Sequence, residues 1–571
     1  MLSSTLVVLL LVSTFALSVG AATTSDAAIS TLAIERVETP SVNRTWSDIA
    51  LIYQDEWHDP AEVDEEIELI HSAVPELVDV EVIGESYQGR NITCIRITNE
   101  LNTEQKAKTQ VVAHHHAREQ ITVELSLRFI IYLLNNYGEN ETITEYVDTQ
   151  EIYVIPTLNP DGLERVVNEE DYWLRKNLRP YDDDGDGLFD EDPWDDADGD
   201  GFVSGFDVYT KTGPGGAPEY QYSYYEGIDD DGDGLFNEDY IGLVDLNRNY
   251  ATGWGSGSSS SDVRSQVYHG PTAFSEPETQ AYRDWTSQHT FAMVYSLHSG
   301  INCTYFPTDY YDNWYEGLLY NRVVQDFATM YPVGFNEFYG FNAQTSNGQY
   351  DKPQLASAPS GMWGAWMYVE RGTTLPITFE VYHNGSADAP STYVDIVDNS
   401  THLIQEWHEI FGYFTPDDAY IEDLWQYYIP AFDYLLEMTP RLDATLGVAS
   451  DAAQQGEEMS LSVSINCLSP RLGTEDGIEL RGEDGTLLHS WGALDVRNSH
   501  ILPITITLPV NLNETGYILR LGNEYTGYTQ FLLTSAASGV FPDLLLSAIV
   551  IVTLVAVVIV VYYVKVYSKT H

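Results

Sequence analysis

Short apolar runs alternate along the chain with segments whose apolar residues recur at helical spacing, and this order leaves few folds open. The apolar runs that predict strands lie at residues 80–83, 92–97, 111–113, 152–155, 291–297 and 375–381. Helices are predicted at residues 62–74, 121–134 and 401–413, the last as a late packing helix. Because strands separated by helices pair in parallel through crossover connections, this order predicts an α/β fold. We expect a mixed, mostly parallel sheet flanked by helices.

The last part of the chain has a different period. Between residues 446 and 533, apolar and polar residues alternate in the runs 459–465, 504–508 and 517–521, with glycine-rich turns between them. Alternation with period two predicts half-buried strands. We therefore divide the chain into a main domain at 46–440 and a small Ig-like β-sandwich at 441–535.

Both ends of the chain predict export. An apolar run that closes on small residues predicts a signal peptide over residues 1–22, with a short linker at 23–45, although the absence of Lys and Arg before the run leaves an uncleaved anchor open. Residues 544–564 carry no charge and would rise about 31 Å as a helix, which predicts one transmembrane helix. The lysines that follow predict a cytoplasmic tail at 565–571 and place the bulk of the chain at the cell surface. Seven Asn-X-Ser/Thr triplets fit an exported glycoprotein.

Composition excludes several classes of protein. The 571 residues include 87 Asp and Glu against 26 Lys and Arg, for a net charge of −61, which repels phosphate backbones and argues against a nucleic-acid partner. The three cysteines are too few and too far apart for a disulfide framework or a thiolate metal site. Twenty of the 87 acidic residues lie within 182–239, and the others indicate an acidic surface suited to salty surroundings.

The acidic cluster forms an insertion at 182–240. The sequence at 182–192 returns almost unchanged at 229–239, and residues 196–207 between them follow the twelve-residue calcium-loop pattern. Such loops surround Ca²⁺ with oxygen ligands at alternating positions. The insertion is therefore predicted to bind calcium, with an uncoordinated acidic loop as the alternative. The candidate ligands are Asp182, Asp184, Asp186, Asp190, Asp196, Asp198, Asp200, Phe202, Ser204, Asp207, Asp229, Asp231, Asp233 and Asn237.

Three consecutive histidines follow the predicted strand at 111–113. Only His116 has a carboxylate three residues further on, at Glu119. In a loop that leaves a strand, a histidine and a glutamate at this spacing can converge on one cation, and zinc accepts both imidazole nitrogen and carboxylate oxygen. Alone, this spacing is common by chance, and a solvated histidine cluster is the simpler interpretation.

Further short motifs accompany this pair in a fixed order. The full set is Ile83-Gly-Glu-Ser-Tyr-Gln-Gly-Arg90, His116-Ala-Arg-Glu119, Asn159-Pro-Asp-Gly162, Trp173-Leu-Arg-Lys176, Asp245-Leu-Asn-Arg-Asn249, Tyr268-His-Gly-Pro271 with Phe274-Ser-Glu-Pro-Glu278, Ser296-Leu-His-Ser299 and Phe379-Glu380. Between about Trp46 and Tyr413, this succession resembles the zinc metallocarboxypeptidase family of carboxypeptidase A/B-like peptidases. Eight ordered motifs are far more specific than any one of them.

The resemblance implies a peptide hydrolase with one Zn²⁺ per active site. It implies that His116, Glu119 and His298 are the zinc ligands, which would leave a fourth position for water. Glu380 matches the family's general base, which takes a proton from water and passes it to the leaving amine. Arg175 matches the arginine that stabilises the oxyanion.

The resemblance also implies residues that bind the substrate. Asn247 and Arg248 match the pair that grips a terminal carboxylate, for which a bidentate guanidinium is well suited. Arg118 matches a further arginine on the substrate side. The carboxylate clamp would make the chain an exopeptidase that acts on the C-termini of peptides or proteins.

Two positions depart from the family pattern. Ser357 stands where the family has a substrate-capping tyrosine, so no such tyrosine is assigned. The specificity position falls at Gly364 or Ala365, and the absence of Asp there argues against a preference for basic C-terminal residues. The neighbouring Trp363 and Trp366 favour apolar or aromatic ones.

Two alternative functions remain open from the sequence. One is an amidase or peptidase that acts on cell-wall or modified peptides, because the same family of active sites serves those substrates. The other is a catalytically inert, calcium-dependent surface binding protein.

Overall fold

The computed structural model of the chain describes most of the main domain and separate parts of the C-terminal region. The described residues are 32–54, 56–182, 185–197, 199, 203–210, 219–232, 234, 237, 239–306, 322–323, 325–331, 360–383, 391–394, 401–407, 410–439, 444–448, 458–465, 477–482, 484–490, 500–507, 517–523 and 527–535. The predicted signal peptide and the predicted span at 544–564 lie outside them. Within the described part, no helix is long and apolar enough to cross a membrane.

The secondary structure alternates between strands and helices up to residue 438. The helices are α1 (Pro60–Ala73), α2 (Ile121–Asn136), α3 (Glu141–Thr149), α4 (Pro160–Glu169), α5 (Pro277–Thr286), α6 (Trp363–Val369), α7 (Ile410–Phe414) and α8 (Ile421–Met438). The strands up to there are β1 (Leu32–Arg36), β2 (Val78–Glu85), β3 (Asn91–Ile97), β4 (Ala107–Ala113), β5 (Gln150–Ile155), β6 (Gly205–Thr210), β7 (Glu219–Tyr225), β8 (Met293–His298), β9 (Ile301–Tyr305), β10 (Leu375–Tyr382), β11 (Ser391–Val394) and β12 (Thr401–Trp407). Those that follow are β13 (Ala444–Val448), β14 (Glu458–Ile465), β15 (Ile478–Gly482), β16 (Leu487–Ser490), β17 (His500–Thr507), β18 (Tyr517–Asn523) and β19 (Gly527–Ser535).

The main domain is built on a seven-stranded mixed sheet in the order β2-β3-β5-β4-β8-β10-β9. Its four central strands β5, β4, β8 and β10 are parallel, and the outer pairings are antiparallel. Successive residues of a strand face opposite sides, so Val111 packs with the helices α1, α2 and α8 on one face. Val112 packs with α5 and α6 on the other. The predicted α/β fold with a mostly parallel central sheet flanked by helices is confirmed.

The first helix shows why the sequence folds this way locally. Asp59 caps α1 in a reciprocal capping box with Glu62, and Pro60 occupies the first turn. The apolar side chains of this helix recur at helical spacing and are buried against the sheet. The helix therefore forms close to where its periodicity predicts it.

The insertion forms part of a second sheet, in the order β11-β12-β6-β7. Strands β6 and β7 come from the insertion, whereas β11 and β12 follow β10. The helix predicted at 401–413 is therefore wrong over 401–407, where the backbone pairs with β6 on one side and β11 on the other. Partner strands supply hydrogen bonds that a local helical preference cannot outweigh. Among the described residues of that segment, those from 410 onward are helical and belong to α7.

The C-terminal region contains two antiparallel sheets. One has the order β1-β19-β18-β15-β16, and the other has the order β13-β14-β17. Strands β14, β17 and β18 lie where alternation with period two predicts them. The packing of the two sheets into a sandwich stays a prediction. The linker predicted at 23–45 contains β1, which completes the five-stranded sheet by pairing with β19.

Candidate metal centre

The centre lies at the carboxyl ends of the parallel strands, beginning with β4. His114 follows this strand with a left-handed backbone, at φ 61°. Its ring is buried and bonds the carbonyl of Ala117 at 2.8 Å and the hydroxyl of Thr157 at 3.0 Å. After this turn, His115 and His116 lie at the carboxyl end of β4. Burial disfavours the charged ring of His114 and lowers its pKa to about 4.

His116, Glu119 and His298 converge at this end of the sheet. The two carboxylate oxygens of Glu119 lie 2.8 Å from His116 Nδ1 and 3.0 Å from His298 Nδ1, and the two ring nitrogens are 3.2 Å apart. All three side chains are buried. Within the described part of the chain, they are the one group of three or more such residues whose ligand atoms lie close enough for one metal ion.

The opposite ring nitrogens of the two histidines have partners of their own. His116 Nε2 lies 3.1 Å from Asp245 Oδ1, and His298 Nε2 lies 3.0 Å from Ser296 Oγ. A proton on Nε2 that bonds these oxygens leaves the Nδ1 lone pair directed at the centre. Burial lowers the pKa of His298, which keeps that ring neutral. Two neutral imidazoles and a carboxylate are a donor set that zinc accepts, so these residues fit the metal.

Glu119 is ionised in this arrangement. Burial alone would raise the pKa of Glu119, but charge and hydrogen bonds from His116 and His298, in the state where these rings carry a proton on Nδ1, outweigh burial and hold the pKa well below its usual value. The carboxylate therefore supplies the negative charge of the ligand set.

His115 supports the centre without facing it. Its ring stacks on His298 with centroids 5.2 Å apart, and it bonds Tyr250 OH at 2.9 Å and Ser296 Oγ at 3.2 Å. Burial holds its pKa well below the usual value. Of the three consecutive histidines, His116 alone contributes a ligand atom to the converging group.

Glu380 lies level with His298 of the candidate metal centre, on the neighbouring strand. In the parallel pairing of β10 with β8, Glu380 stands directly opposite His298. Burial raises the pKa of Glu380 well above its usual value, the negative charge of Glu119 raises it further, and Arg175 and Arg248 partly oppose the rise. A carboxyl group with this affinity for a proton suits proton transfer.

Asp245 organises the cationic side of the site. This fully buried carboxylate binds Arg175 through Nε at 3.0 Å and Nη2 at 2.9 Å, and Arg248 Nη1 lies 3.8 Å away. Burial alone would raise the pKa of Asp245, but the two guanidinium groups outweigh it and hold the pKa well below its usual value. The same carboxylate receives His116, so one side chain links the metal ligands to the arginines.

Two of the arginines keep a buried N–H without a protein partner. Arg118 Nε and Arg248 Nε are both buried and make no hydrogen bond. Arg248 is held from its other end, where Nη1 donates to the carbonyl of Asn247 at 2.9 Å. Buried donors on guanidinium groups indicate a site for an anionic or carbonyl ligand.

A close backbone approach fixes the segment of Asn247 and Arg248. Gly361 has φ 71°, and a Cβ there would lie 2.2 Å from the carbonyl oxygen of Arg248, so only glycine fits. The amide oxygen of Asn247 accepts the backbone N–H of Trp363 at 2.9 Å. Trp363 and Trp366, which the sequence associates with specificity, are fully buried side chains of the core. Ser357 lies outside the described residues.

The candidate calcium ligands are only partly described. Asp184, Asp198, Asp200, Phe202 and Asp233 lie outside the described residues. The remaining candidates include several that cap backbone turns: Asp182 accepts two backbone N–H groups, at 2.6 and 3.1 Å, and Asp229 repeats the pair at 2.8 and 3.1 Å.

The other described candidates are more scattered. Asp190 and Asn237 occupy equivalent left-handed positions in the two repeats, at φ 56° and 54°. Asp186 accepts a backbone N–H at 2.7 Å, as does Asp196. Asp207 lies within β6. The remaining two differ in exposure: Ser204 is buried and Asp231 is exposed.

Sequence reasoning missed three supporting residues. Asp245 and Ser296 lie inside recognised motifs and His115 directly precedes one, but nothing in the sequence shows which atoms they reach. The usable signal was the position of Asp245 at the head of the motif that also contains Asn247 and Arg248.

The comparison with known families decides the relationship. The family model described as zinc carboxypeptidase matches residues 63–428, which include every motif of the metal centre. The chain belongs to the zinc carboxypeptidase family. The resemblance inferred from the ordered motifs is thereby confirmed.

Several curated zinc carboxypeptidases are similar to parts of the chain. The zinc carboxypeptidase of Saccharothrix mutabilis subsp. capreolus is 38% identical over 109 residues, which are 19% of this chain and 25% of that protein. Carboxypeptidase A5 of Macaca fascicularis is 23% identical over 311 residues, or 53% of this chain and 55% of that protein. The inactive metallocarboxypeptidase ECM14 of Saccharomyces cerevisiae is 33% identical over 117 residues, or 20% and 27%. The chain thus spans between a quarter and about half of these relatives.

Two solved structures align with about two thirds of the chain. Thrombin activatable fibrinolysis inhibitor aligns with a TM-score of 0.46 and 18% identity over 68% of this chain and 75% of that one. Carboxypeptidase A from Helicoverpa armigera aligns with a TM-score of 0.43 and 19% identity over 67% and 74%.

Proposed function

We propose that the chain is an active zinc carboxypeptidase that removes C-terminal residues from peptides. The observation that carries this proposal is the convergence of two imidazole Nδ1 atoms and a carboxylate, beside the half-buried Arg175 and Arg248 that lie against Asp245. Bound at His116, Glu119 and His298, zinc would polarise the scissile carbonyl and lower the pKa of water toward about 7.

The protein's own residues account for proton transfer. Glu380 faces the centre from the neighbouring strand, where it can accept a proton from the attacking water and deliver it to the leaving amine. Arg175, held by Asp245, supplies a fixed positive charge for the oxygen that becomes negative during the reaction. Because Asp245 holds this guanidinium before substrate arrives, little reorganisation is needed.

Arg248 and Asn247 support an exopeptidase rather than an endopeptidase. The buried, unpartnered Nε of Arg248 can receive the terminal carboxylate of a peptide. Arg118 presents a second buried Nε without a protein partner. An internal segment of a polypeptide has no carboxylate to offer these donors.

Turnover of blocked dipeptides tests the proposal. We expect hydrolysis of substrates with a free C-terminal carboxylate, and a loss of about 10²–10⁴-fold in kcat for Glu380→Gln at unchanged zinc content. If neither the wild type nor Glu380→Gln hydrolyses any substrate across a panel of C-terminal residues, the result would contradict the proposal and favour an inert binding protein. One relative of the chain, ECM14 of Saccharomyces cerevisiae, is named an inactive metallocarboxypeptidase.

Amidated substrates separate the exopeptidase from the amidase. If Arg248 binds the terminal carboxylate, amidation of that group should remove turnover. Retained cleavage of amidated or cell-wall peptides would instead favour the amidase.

We also propose that the acidic insertion binds calcium. The proposal is supported by the matching backbone geometry of the two repeats around Asp182 and Asp229, in which the carboxylates cap the turn as in calcium loops. Calcium should raise the melting temperature of the full chain, and Asp229→Asn should reduce that shift. No shift between EGTA and millimolar calcium would contradict it.

The location of the protein follows as a further proposal. We propose a single-pass cell-surface protein, supported by the uncharged run at 544–564 and the lysines after it. Recovery of the full chain in a carbonate-washed membrane fraction, with its main domain digested by external protease, is the expected result. Recovery in the soluble fraction would contradict it.

A further inference from the structure

The acidic insertion meets the active site at Trp173. The indole ring of Trp173 is only 8% exposed, and its N–H donates to the carbonyl of Val203. It packs edge-on against Tyr225 at the end of β7, with ring centroids 4.7 Å apart. A Cβ on Gly205, the first residue of β6, would lie 2.4 Å from the ring, so the ring rests directly on the backbone of the insertion.

The backbone of Trp173 in turn holds Arg118. The carbonyl of Trp173 accepts a hydrogen bond from Arg118 Nη1 at 3.0 Å. The guanidinium also stacks over the ring of Phe414, at 4.1 Å from its centroid. Phe414 ends α7, shortly after β12, which pairs with β6. Arg118 is therefore connected to the sheet β11-β12-β6-β7 in two ways. Trp173 packs on the insertion, and Phe414 belongs to the helix that follows β12.

The same segment carries the oxyanion arginine. Arg175 lies two residues after Trp173, and its carbonyl accepts the backbone N–H of Ala117, the residue before Arg118, at 3.1 Å. A displacement of the Trp173 backbone would therefore move the partner of Arg118 and strain the link to the metal-binding loop.

We propose that Trp173 is a positioning residue through which the insertion sets the place of Arg118 at the substrate-binding side of the site. This inference rests on the proposed peptidase function and deepens it, because it gives the insertion a part in substrate binding. Arg118 keeps its Nε free of protein partners for the substrate, while the carbonyl of Trp173 fixes the plane of its guanidinium.

A double-mutant cycle tests the coupling. Gly205→Ala places a methyl group against the Trp173 ring and should lower kcat/KM on the order of ten-fold at unchanged zinc content, because small misplacements of binding groups are costly. In an Arg118→Met background the same substitution should change kcat/KM by less than about two-fold, because the group it displaces is gone. Equal effects in both backgrounds would overturn the proposal. Trp173→Phe, which keeps the aromatic ring but removes the N–H donor, serves as a milder second variant under the same criterion.

A matched control in the same sheet separates positioning from stability. Phe206 follows Gly205 in β6 and stacks on Tyr224 with centroids 4.8 Å apart. Adjacent strand residues face opposite sides, so Phe206→Ala should lower the melting temperature while leaving kcat/KM of the folded protein close to wild type. A ten-fold loss in this control would show that the sheet acts only through overall stability and would overturn the assignment to Trp173.

A chemical readout decides the inference even if the chain proves to be inert. The rate at which phenylglyoxal modifies Arg118, mapped by peptide mass spectrometry, reports the freedom of its guanidinium without turnover. We expect faster modification in Gly205→Ala and Trp173→Phe than in the wild type or Phe206→Ala. Unchanged rates in both Trp173-directed variants would overturn the proposal, whereas missing turnover with changed rates would count only against the peptidase function.

Discussion

Asp245 shows how much of the site depends on one residue. Its carboxylate receives a metal-binding histidine on one oxygen and a guanidinium on the other, and it is fully buried. Outer partners of this kind orient a ligand ring and tune its basicity. Asp245 therefore links His116 of the candidate metal centre to Arg175, the residue proposed to stabilise the oxyanion.

Replacing Asp245 should damage both functions. Asp245→Asn should weaken zinc binding about 10–100-fold, because the amide no longer offers His116 a charged acceptor. It should also lower kcat, because Arg175 loses its ion pair. Competition with a zinc chelator measures the first effect, and turnover at saturating zinc measures the second. Asp262→Asn, an exposed aspartate, is the matched control; equal zinc affinity in both variants would contradict this role.

Arg248 should affect the binding of free carboxylates in particular. Arg248→Lys keeps the charge but loses the planar fork, so we expect KM to rise about 10-fold or more with little change in kcat. Steady-state kinetics on peptides with free and amidated C-termini give the measurement. The same fold-change on both substrates would show that the arginine does not bind the carboxylate.

At the scale of residues, the sequence predicts which side chains form the site better than it predicts which atoms those side chains contact. The positions of His116, Glu119 and Glu380 follow from ordered motifs, and the structure brings them together at one end of the sheet. The contacts of Asp245 with His116 and of Trp173 with Arg118 could not be predicted, because each joins residues more than fifty positions apart. Such contacts depend on tertiary packing rather than on local pattern.

At the scale of elements, a buried ionic cluster fastens the segment before α1 to two helices. His58 bonds Glu124 of α2 at 2.8 Å and lies 3.6 Å from Glu66 of α1. Arg128 pairs with the second oxygen of Glu124 at 2.9 Å and donates to the carbonyl of Gln54 at 2.7 Å. The ion pairs and hydrogen bonds of this cluster connect the segment before α1 with α1 and α2.

This cluster predicts a loss of stability at alkaline pH. Burial alone would lower the pKa of His58, but its hydrogen bond to Glu124 and the nearby carboxylate of Glu66 outweigh burial and raise the pKa to about 9. Because the folded pKa exceeds the unfolded value, the contribution is fully present below about pH 6.5 and disappears as the pH rises through about 9.

Denaturant unfolding between pH 6 and pH 10 checks this prediction. The wild type should lose on the order of 3 kcal/mol of unfolding free energy across this window, and His58→Gln should lose much less. His489→Gln, on the exposed β16, should keep the slope of the wild type. Equal slopes for the wild type and His58→Gln would rule out the histidine as the source.

The outcome for the elements shows where local pattern fails. Strands β4, β8 and β10 and helices α1 and α2 follow from apolar periodicity because their burial pattern is regular. The prediction failed at 401–407, and β6 and β7 were not anticipated within the acidic insertion. These strands depend on partners far away in the sequence, which a local window does not contain.

At the scale of the whole molecule, the net charge of −61 makes salt a determinant of stability. Like charges on a compact surface repel each other, and added salt screens that repulsion within about 10 Å or less. In EGTA, which removes any contribution of calcium, the melting temperature should therefore rise between 0.05 M and 1 M NaCl. A melting temperature that does not change with NaCl would contradict a role for the global charge.

The pairing of β1 with β19 sets a condition on the order in which the protein can be built. Leu32 stands opposite Ser535 in this antiparallel pair, so the two strands are separated by almost the whole chain. Contacts between residues so distant in sequence form late, because the entropy cost of closing a very long loop comes before these contacts contribute any stabilisation. During synthesis, the main domain can fold before β1 pairs with β19. The five-stranded sheet is completed only after the ribosome has released its final strand.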